Sequence, residues 1–136
     1  MHEWALAEGV VLAALAEAER HGLARIERIE VRLGQLQQIP EELFRFALDQ
    51  VIPATTEALR DVDVRVTLEP AKFRCRGCGR LFALDDATAG LGAEQAEAIH
   101  FIPELAHAFL RCPDCRSPDF DVTAGRGVRL IEVTGS

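Results

Sequence analysis

The stretch Cys75-Arg76-Gly77-Cys78 is followed, after 33 intervening residues, by Cys112-Pro113-Asp114-Cys115, and these are the only four cysteines in the chain. Each C-x-x-C pair has the length of a tight turn that directs two sulfur atoms at one point. Two such turns supply four thiolates, which is the tetrahedral set that a structural Zn²⁺ takes. The spacing therefore predicts a zinc-ribbon-like domain whose metal ligands are Cys75, Cys78, Cys112 and Cys115.

The same cysteines allow two other interpretations. One C-x-x-C pair could be a redox dithiol, and two disulfides could hold together a small secreted domain. Zinc is favoured because a redox motif leaves the second pair unexplained and nothing in the sequence marks the chain as secreted. Thiols kept for a metal indicate a reducing, cytoplasmic compartment. The gap between the pairs exceeds the roughly 15–20 residues that are usual, which predicts an insertion at about residues 85–110.

Cationic side chains are concentrated around the two pairs, although the chain as a whole has a net charge of −7. They can offset the charge of about −2 that four thiolates leave around Zn²⁺. They could also form a phosphate-binding patch, so a zinc-ribbon nucleic-acid or transcription-associated module is the alternative function. The acidic balance argues against nucleic acid as a partner, because such binding needs a cationic surface. The cations in question are Lys72, Arg74, Arg76, Arg80, Arg111 and Arg116.

Hydrophobic periodicity predicts an α+β fold around this module. A first helix is expected from about Glu3 to His21, because apolar residues recur there at helical spacing. A second helix opens at Pro40 and is closed by Pro53. Alternation of apolar and polar residues predicts strands at about 26–36, 62–68 and 128–133. The predicted core face of the first helix is Trp4, Ala7, Val11, Ala14, Leu15 and Ala18; that of the second is Leu43, Phe46, Ala47 and Val51.

Two domains are expected. The first, a small sheet with two helices, takes residues 1–70 together with 121–136, and the last strand returns to its sheet. The second, an inserted zinc-binding domain with four cysteine ligands, takes residues 71–120. The insertion within it is helix-prone but broken at Pro103, and its apolar surface makes a homodimer one expectation. No membrane span is expected, since no segment has the ~20 apolar residues required, and the N-terminal run lacks the cationic start of a signal peptide.

The first three residues, Met1-His2-Glu3, have a chelating option of their own. The terminal amine, the backbone nitrogen and imidazole of His2, and the amide nitrogen of Glu3 can together offer four nitrogens to one ion. Such a set suits square-planar Ni²⁺ or Cu²⁺ and not tetrahedral Zn²⁺. An ordinary exposed terminus is the alternative, because most histidines bind no metal.

Taken together, these features resemble the HypA/HybF nickel-insertion proteins of nickel–iron hydrogenase maturation, over essentially the whole chain. The resemblance is carried by residues 1–8 (MHEWALAE), residues 31–34 (VRLG), both C-x-x-C pairs and the turn Gly125-Arg126-Gly127. It implies a metallochaperone and not an enzyme. The rival enzyme classes, thiol–disulfide exchange and zinc hydrolysis, also lack support in the sequence: no nucleophile–base pair is evident, and a zinc ion with four cysteine ligands has no open coordination position.

The resemblance also implies a division of sites and partners. Nickel would be bound through Met1, His2 and Glu3, and zinc through the four cysteines. The partners would be a GTPase of the HypB family and the hydrogenase large subunit, and some family members also serve urease. Residues 99–104 (IHFIPE) resemble the archaeal form, in which a histidine of this segment can join the nickel site when the partner is bound; His100 is the matching residue.

Two positions depart from the family pattern. Gln35 stands where glutamate commonly follows the glycine, which puts any charge role there in doubt. Arg116 stands where glycine often follows the last cysteine, which is expected to affect the turn of that pair and not its ligand.

Overall fold

The computed structural model describes residues 2–52, 57–87 and 92–136, apart from the side chains of His2, Ala96 and His100. The fold is α+β, as predicted, with contacts that divide the chain into two compact units. The first unit consists of Met1–Leu33, Ile39–Thr67 and Val128–Ser136, and the second of Gly34–Gln38 and Leu68–Gly127. In chain order the elements are α1 (His2–Arg20), β1 (Ile26–Gly34), α2 (Glu41–Val51), β2 (Asp63–Glu69), β3 (Lys72–Cys75), β4 (Leu81–Ala83), α3 (Leu84–Ala87), α4 (Ala93–Phe101), α5 (Ala106–Phe109), β5 (Phe120–Ala124) and β6 (Val128–Gly135).

The first unit contains a three-stranded sheet in the order β2-β1-β6, whose core is shared with α1 and α2. The final strand, β6, pairs antiparallel with β1, as the sequence predicts. The predicted face of α1 is the one that enters the core, because Ala7, Val11, Ala14 and Ala18 are all buried. Val10 joins them, and Trp4 and Leu15 pack partly buried at the margin.

The predicted core face of α2 is wrong at two of its four residues. Leu43 and Phe46 are 42% and 54% exposed, and Phe44 and Leu48 are buried in their place. Ala47 is buried as predicted, and Val51 packs partly buried against the core. Apolar residues occur on both sides of this helix, so its own sequence allows two faces, and only the position of the sheet decides between them. Phe46 lies edge-on to Trp4, with ring centroids 6.0 Å apart.

The second unit contains a sheet in the order β4-β3-β5, with antiparallel pairing throughout. Its core is a cluster of three phenylalanines, Phe73, Phe82 and Phe120, whose ring centroids are 5.2 to 5.6 Å apart. Ile99 and Leu110, from the inserted segment, are buried in the same core. Because β5 pairs with β3, residues 121–127 lie in this unit, whereas the sequence assigned 121–136 to the first domain.

The inserted segment is helical and breaks where predicted. α4 ends at Phe101, and Pro103 begins a turn of 3-10 helix that leads into α5. The predicted helix stop at Pro53 and most of the predicted loop at 87–92 lie outside the described residues. None of the described helices is long and apolar enough to cross a membrane.

Candidate metal centre

The four cysteine sulfurs converge on one point of the second unit. All four Sγ atoms lie within 4.8 Å of one another. The Sγ atoms of Cys75 and Cys115 are 3.4 Å apart, and those of Cys78 and Cys112 are 3.7 Å apart. A disulfide would bring a pair to about 2.05 Å, so all four are free thiols. Four sulfurs at about 2.3 Å from a central Zn²⁺ would be about 3.8 Å from each other, and the cluster fits that arrangement.

The two C-x-x-C turns have the same backbone construction. In the first, the N–H of Gly79 donates to the carbonyl of Cys75 over 2.9 Å; in the second, the N–H of Arg116 donates to the carbonyl of Cys112 over 3.0 Å. Each turn is then closed by the N–H of its first cysteine, which donates to the carbonyl five residues later over 2.9 Å. We refer to these two turns, residues 75–80 and 112–117, as the knuckles. Their matching geometry directs both cysteines of each pair toward the same centre.

The thiols of Cys75, Cys78 and Cys115 differ in pKa. The pKa of Cys75 is lowered to about 7, chiefly by the backbone N–H of Cys78, which approaches its sulfur to 3.5 Å, and then by the neighbouring thiols, against an opposing effect of desolvation. The pKa of Cys78 is raised to about 12. The hydrogen bond from the N–H of Arg80 lowers this pKa, but desolvation and the neighbouring thiols together raise it by more. The pKa of Cys115 is also raised, where an N–H from Ser117 is outweighed in the same way.

These acidities imply that the cluster needs a cation to become fully anionic. Thiols packed this closely cannot all ionise, because each thiolate raises the cost of the next. A bound divalent metal removes that obstacle and deprotonates its thiol ligands outright. The donor set and geometry therefore suit a soft, tetrahedral metal ion.

Carboxylates that the sequence analysis did not single out bind the knuckle arginines. Arg76 donates to Asp121 over 2.9 Å and to Asp119 over 3.1 Å. Arg80 donates to Asp114, inside the opposite knuckle, over 2.6 Å. The hydrogen bond with Arg76 lowers the pKa of Asp121.

The pairing revises the role predicted for these two arginines. Both guanidinium groups are paired with aspartates, which reduces the cationic surface open to a phosphate backbone. The sequence held a signal for this, since Asp114, Asp119 and Asp121 all fall within or just after the second C-x-x-C pair.

A second set of contacts joins three distant stretches of this unit. The N–H of Gly34 donates to the carbonyl of Gly127 over 2.8 Å. The side-chain oxygen of Gln35 accepts the N–H of Ala71 over 2.8 Å, and the carboxylate of Glu69 accepts the N–H of Gly125 over 2.8 Å. Gln35 therefore supplies a hydrogen-bond acceptor, which a glutamate could supply equally, so the departure from the family pattern preserves this contact.

The residues predicted to bind nickel are described only in part. Met1 and the side chains of His2 and His100 lie outside the described residues. The backbone of His2 begins α1, Glu3 lies half-buried in its first turn, and the backbone of His100 lies in the last turn of α4. Among the residues whose side chains are described, the four cysteines are the group of histidine, cysteine and acidic residues that could hold a metal ion.

Comparison with known proteins gives one consistent result. A family profile described as "Hydrogenase/urease nickel incorporation, metallochaperone, hypA" matches residues 1–134. The hydrogenase maturation factor HypA of Thermococcus sibiricus is 41% identical over 133 residues, which cover 98% of this chain and 95% of the relative. That of Thermococcus onnurineus is 42% identical over 130 residues, covering 96% and 92%.

Solved structures agree at the level of the fold. The solution structure of the Ni metallochaperone HypA from Helicobacter pylori matches with a TM-score of 0.62 at 18% identity, covering 96% of this chain and 94% of that one. A second solution structure of a HypA protein matches with a TM-score of 0.63, also at 18% identity, and covers 100% and 97%. With its fold, its cysteine cluster and a profile match over nearly its full length, the chain belongs to the HypA family of hydrogenase/urease nickel-incorporation metallochaperones.

Proposed function

We propose that this chain carries Ni²⁺ at its amino terminus for hydrogenase maturation and holds a structural Zn²⁺ among Cys75, Cys78, Cys112 and Cys115. The observation that carries the proposal is the family match, which spans residues 1–134 and so includes the chelating start Met1-His2-Glu3. The two sites differ in their donors, because one offers nitrogens and the other four sulfurs. Square-planar nickel prefers the nitrogen donors, and tetrahedral zinc prefers the four sulfurs.

The position of the amino terminus supports a site that can load and release its ion. α1 begins at His2, and the first N–H groups of an α-helix have no acceptor within the helix. Coordination by successive backbone nitrogens in one plane requires the first turn to unwind, because helical backbone does not place them in a plane. Among the described side chains of α1, Ala7 is the first that is fully buried, so unwinding His2 and Glu3, which precede the partly buried Trp4, removes no fully buried side chain from the core of the first unit.

The zinc site is proposed to be structural. Four thiolates complete a tetrahedral shell, and a zinc ion so enclosed has no position left for a substrate. The ion would join two C-x-x-C pairs that are separated by 33 residues of sequence. Its role is to fix the fold of the second unit, which agrees with a carrier and not with an enzyme.

Partners follow from the same proposal. A carrier must receive nickel and deliver it, and we assign these steps to a GTPase of the HypB family and to the hydrogenase large subunit. His100 is proposed to join the nickel ligands when the GTPase is bound. Four unpaired thiols suit a reducing compartment such as the cytoplasm. A homodimer through the apolar insertion is kept as a secondary proposal.

The test uses untagged protein that retains its native Met1. Calorimetric titration with Ni²⁺ is expected to show one tight site, which is lost in His2→Ala and in a variant with one residue added before Met1. Both variants are expected to keep one zinc by elemental analysis. His100→Ala is the matched control. Its nickel affinity should equal that of the wild type when the GTPase is absent, and should be weaker only when the GTPase is present. Unchanged nickel affinity in the extended variant would refute the amino-terminal site.

A further inference from the structure

Phe46 is a large apolar side chain that lies outside the core of the first unit. It is 54% exposed, whereas its neighbour Ala47 on α2 is buried. An exposed ring gains little from the hydrophobic effect, so burial alone does not account for a phenylalanine here. The ring has a defined contact instead, because it meets Trp4 of α1 edge-on at an interplanar angle of 73°. Edge-to-face pairs of this kind are favourable beyond the area they bury.

Trp4 lies where α1 is joined to the body of the first unit. Among the described apolar side chains of α1, it is the first that packs against the core. It directly follows Glu3, so it lies at the inner end of the proposed nickel chelate. The first eight residues contain no serine, threonine, aspartate or asparagine, which are the residue types that cap the start of a helix. Helix ends fray readily, so tertiary contact at Trp4 stabilises the wound first turn.

Helical winding and nickel coordination compete for the same backbone. An α-helix pairs each carbonyl with the N–H four residues later, which joins His2 to Leu6 at the start of α1. Coordination by successive backbone nitrogens in one plane breaks this pairing. When only a fraction of a protein is in the form that can bind, the apparent affinity falls by that fraction. A contact that keeps the first turn wound therefore lowers the apparent affinity for nickel.

We infer that Phe46 is a positioning residue for the nickel site: through Trp4 it keeps the first turn of α1 helical and so holds nickel affinity down; this rests on the function proposed above. Phe46 does not itself bind the ion. One aromatic pair shifts an equilibrium about two- to tenfold. An adjustment of that size suits a carrier, which must release the ion that it binds.

Phe46→Ala tests this inference in untagged protein with its native Met1, because affinity and stability should change in opposite directions. Calorimetric titration is expected to show nickel binding about two- to tenfold tighter than in the wild type. The midpoint of thermal unfolding is expected to fall slightly, since a ring contact is lost. A merely structural residue would lower the stability without tightening the site. Without nickel, the fluorescence of Trp4, the only tryptophan, is expected to shift to longer wavelength as the indole becomes more exposed.

Two further variants serve as controls. Phe46→Tyr keeps the aromatic ring and should have the nickel affinity of the wild type. Leu43→Ala is the matched control, because it removes another exposed apolar side chain from α2, and it should leave the nickel affinity unchanged. The absorption bands of planar Ni²⁺ should be the same in all variants, since none of them alters a donor nitrogen.

The possible failures are distinguishable. Nickel affinity in Phe46→Ala that equals or falls below that of the wild type would overturn the inference and leave the proposed function intact. An equal gain of affinity in Leu43→Ala would also overturn it, because a general loosening of α2 would then be the cause. A wild-type chain that binds no nickel would refute the proposed function itself, and this inference with it.

Discussion

Gly79 and Arg116 occupy the same place in the two knuckles, and both have a left-handed backbone, with φ of 77° and 65°. Each follows the second cysteine of its pair, and each donates its N–H to the carbonyl of the first. Glycine adopts this conformation freely, whereas for a residue with a Cβ atom it costs roughly 1–2 kcal/mol. Arg116 is therefore strained at a position where its counterpart is relaxed.

Arg116→Gly is expected to stabilise the zinc-bound protein. Relief of the left-handed strain is partly offset by the greater freedom of glycine in the unfolded chain, which leaves a gain of about 0.5–1 kcal/mol in the free energy of unfolding. Denaturant titration measures this gain. Arg116→Ala is the control, because it removes the same guanidinium and keeps the strained Cβ. Equal stability of the two variants would show that the side chain, and not the backbone, sets the stability here.

Zinc affinity is expected to fall steeply as pH falls. Without metal, the pKa of Cys78 is raised to about 12, that of Cys115 is also raised, and that of Cys75 is about 7. Near pH 7.5, zinc binding must therefore release at least two protons, so affinity should rise about a hundredfold per pH unit. Below pH 7, Cys75 is protonated as well and the dependence becomes steeper. Competition with a chromophoric chelator between pH 6 and 8 measures this slope, and a flat profile would contradict it.

Gly34 and Gly125 are predicted to tolerate no side chain. A Cβ atom at Gly34 would lie 2.6 Å from the carbonyl oxygen of Gly127, and one at Gly125 would lie 2.5 Å from the backbone nitrogen of Ala71. Because these neighbours are backbone atoms, neither can move aside without breaking the hydrogen bonds that join these stretches. Gly34→Ala and Gly125→Ala are each expected to cost about 2–4 kcal/mol in denaturant titration.

Gly77→Ala provides the comparison, since its added Cβ would lie at an ordinary distance of 3.7 Å from the nearest atom outside its neighbours, the Cys75 sulfur. It is expected to change stability by less than about 1 kcal/mol. If Gly34→Ala were as mild as Gly77→Ala, the close approach of the backbone at Gly34 would not be a constraint in solution.

The sequence predicted those elements whose signal is local. α1, β1, β6 and the break at Pro103 follow from periodicity and from proline, both of which are visible within a dozen residues. The knuckles follow from cysteine spacing alone. The core face of α2 could not be predicted in this way, because its helix offers two apolar faces and the sheet that selects between them is distant in sequence.

Contacts between distant residues also escaped the sequence analysis. The boundary of the second unit depends on β5 pairing with β3, and on Glu69 accepting from Gly125, a separation of 56 residues. The sequence indicates cations around the cysteines, but it does not indicate the aspartates that pair with Arg76 and Arg80. The pairing of Arg76 with Asp121 spans 45 residues, and no local pattern identifies which carboxylate a surface arginine will meet.

The ion pair between Arg80 and Asp114 is predicted to slow the release of zinc. It connects the two knuckles over 2.6 Å and lies beside four thiolates whose charge exceeds that of the ion they would bind. Removing the guanidinium in Arg80→Ala leaves the carboxylate facing an anionic cluster, which disfavours the metal-bound form. Release to a chromophoric chelator is expected to become several-fold faster. The exchanged variant Arg80→Asp with Asp114→Arg restores opposite charges across the knuckles and should recover most of the wild-type rate, whereas release as fast as in Arg80→Ala would show that the pairing itself has no part in retaining the ion.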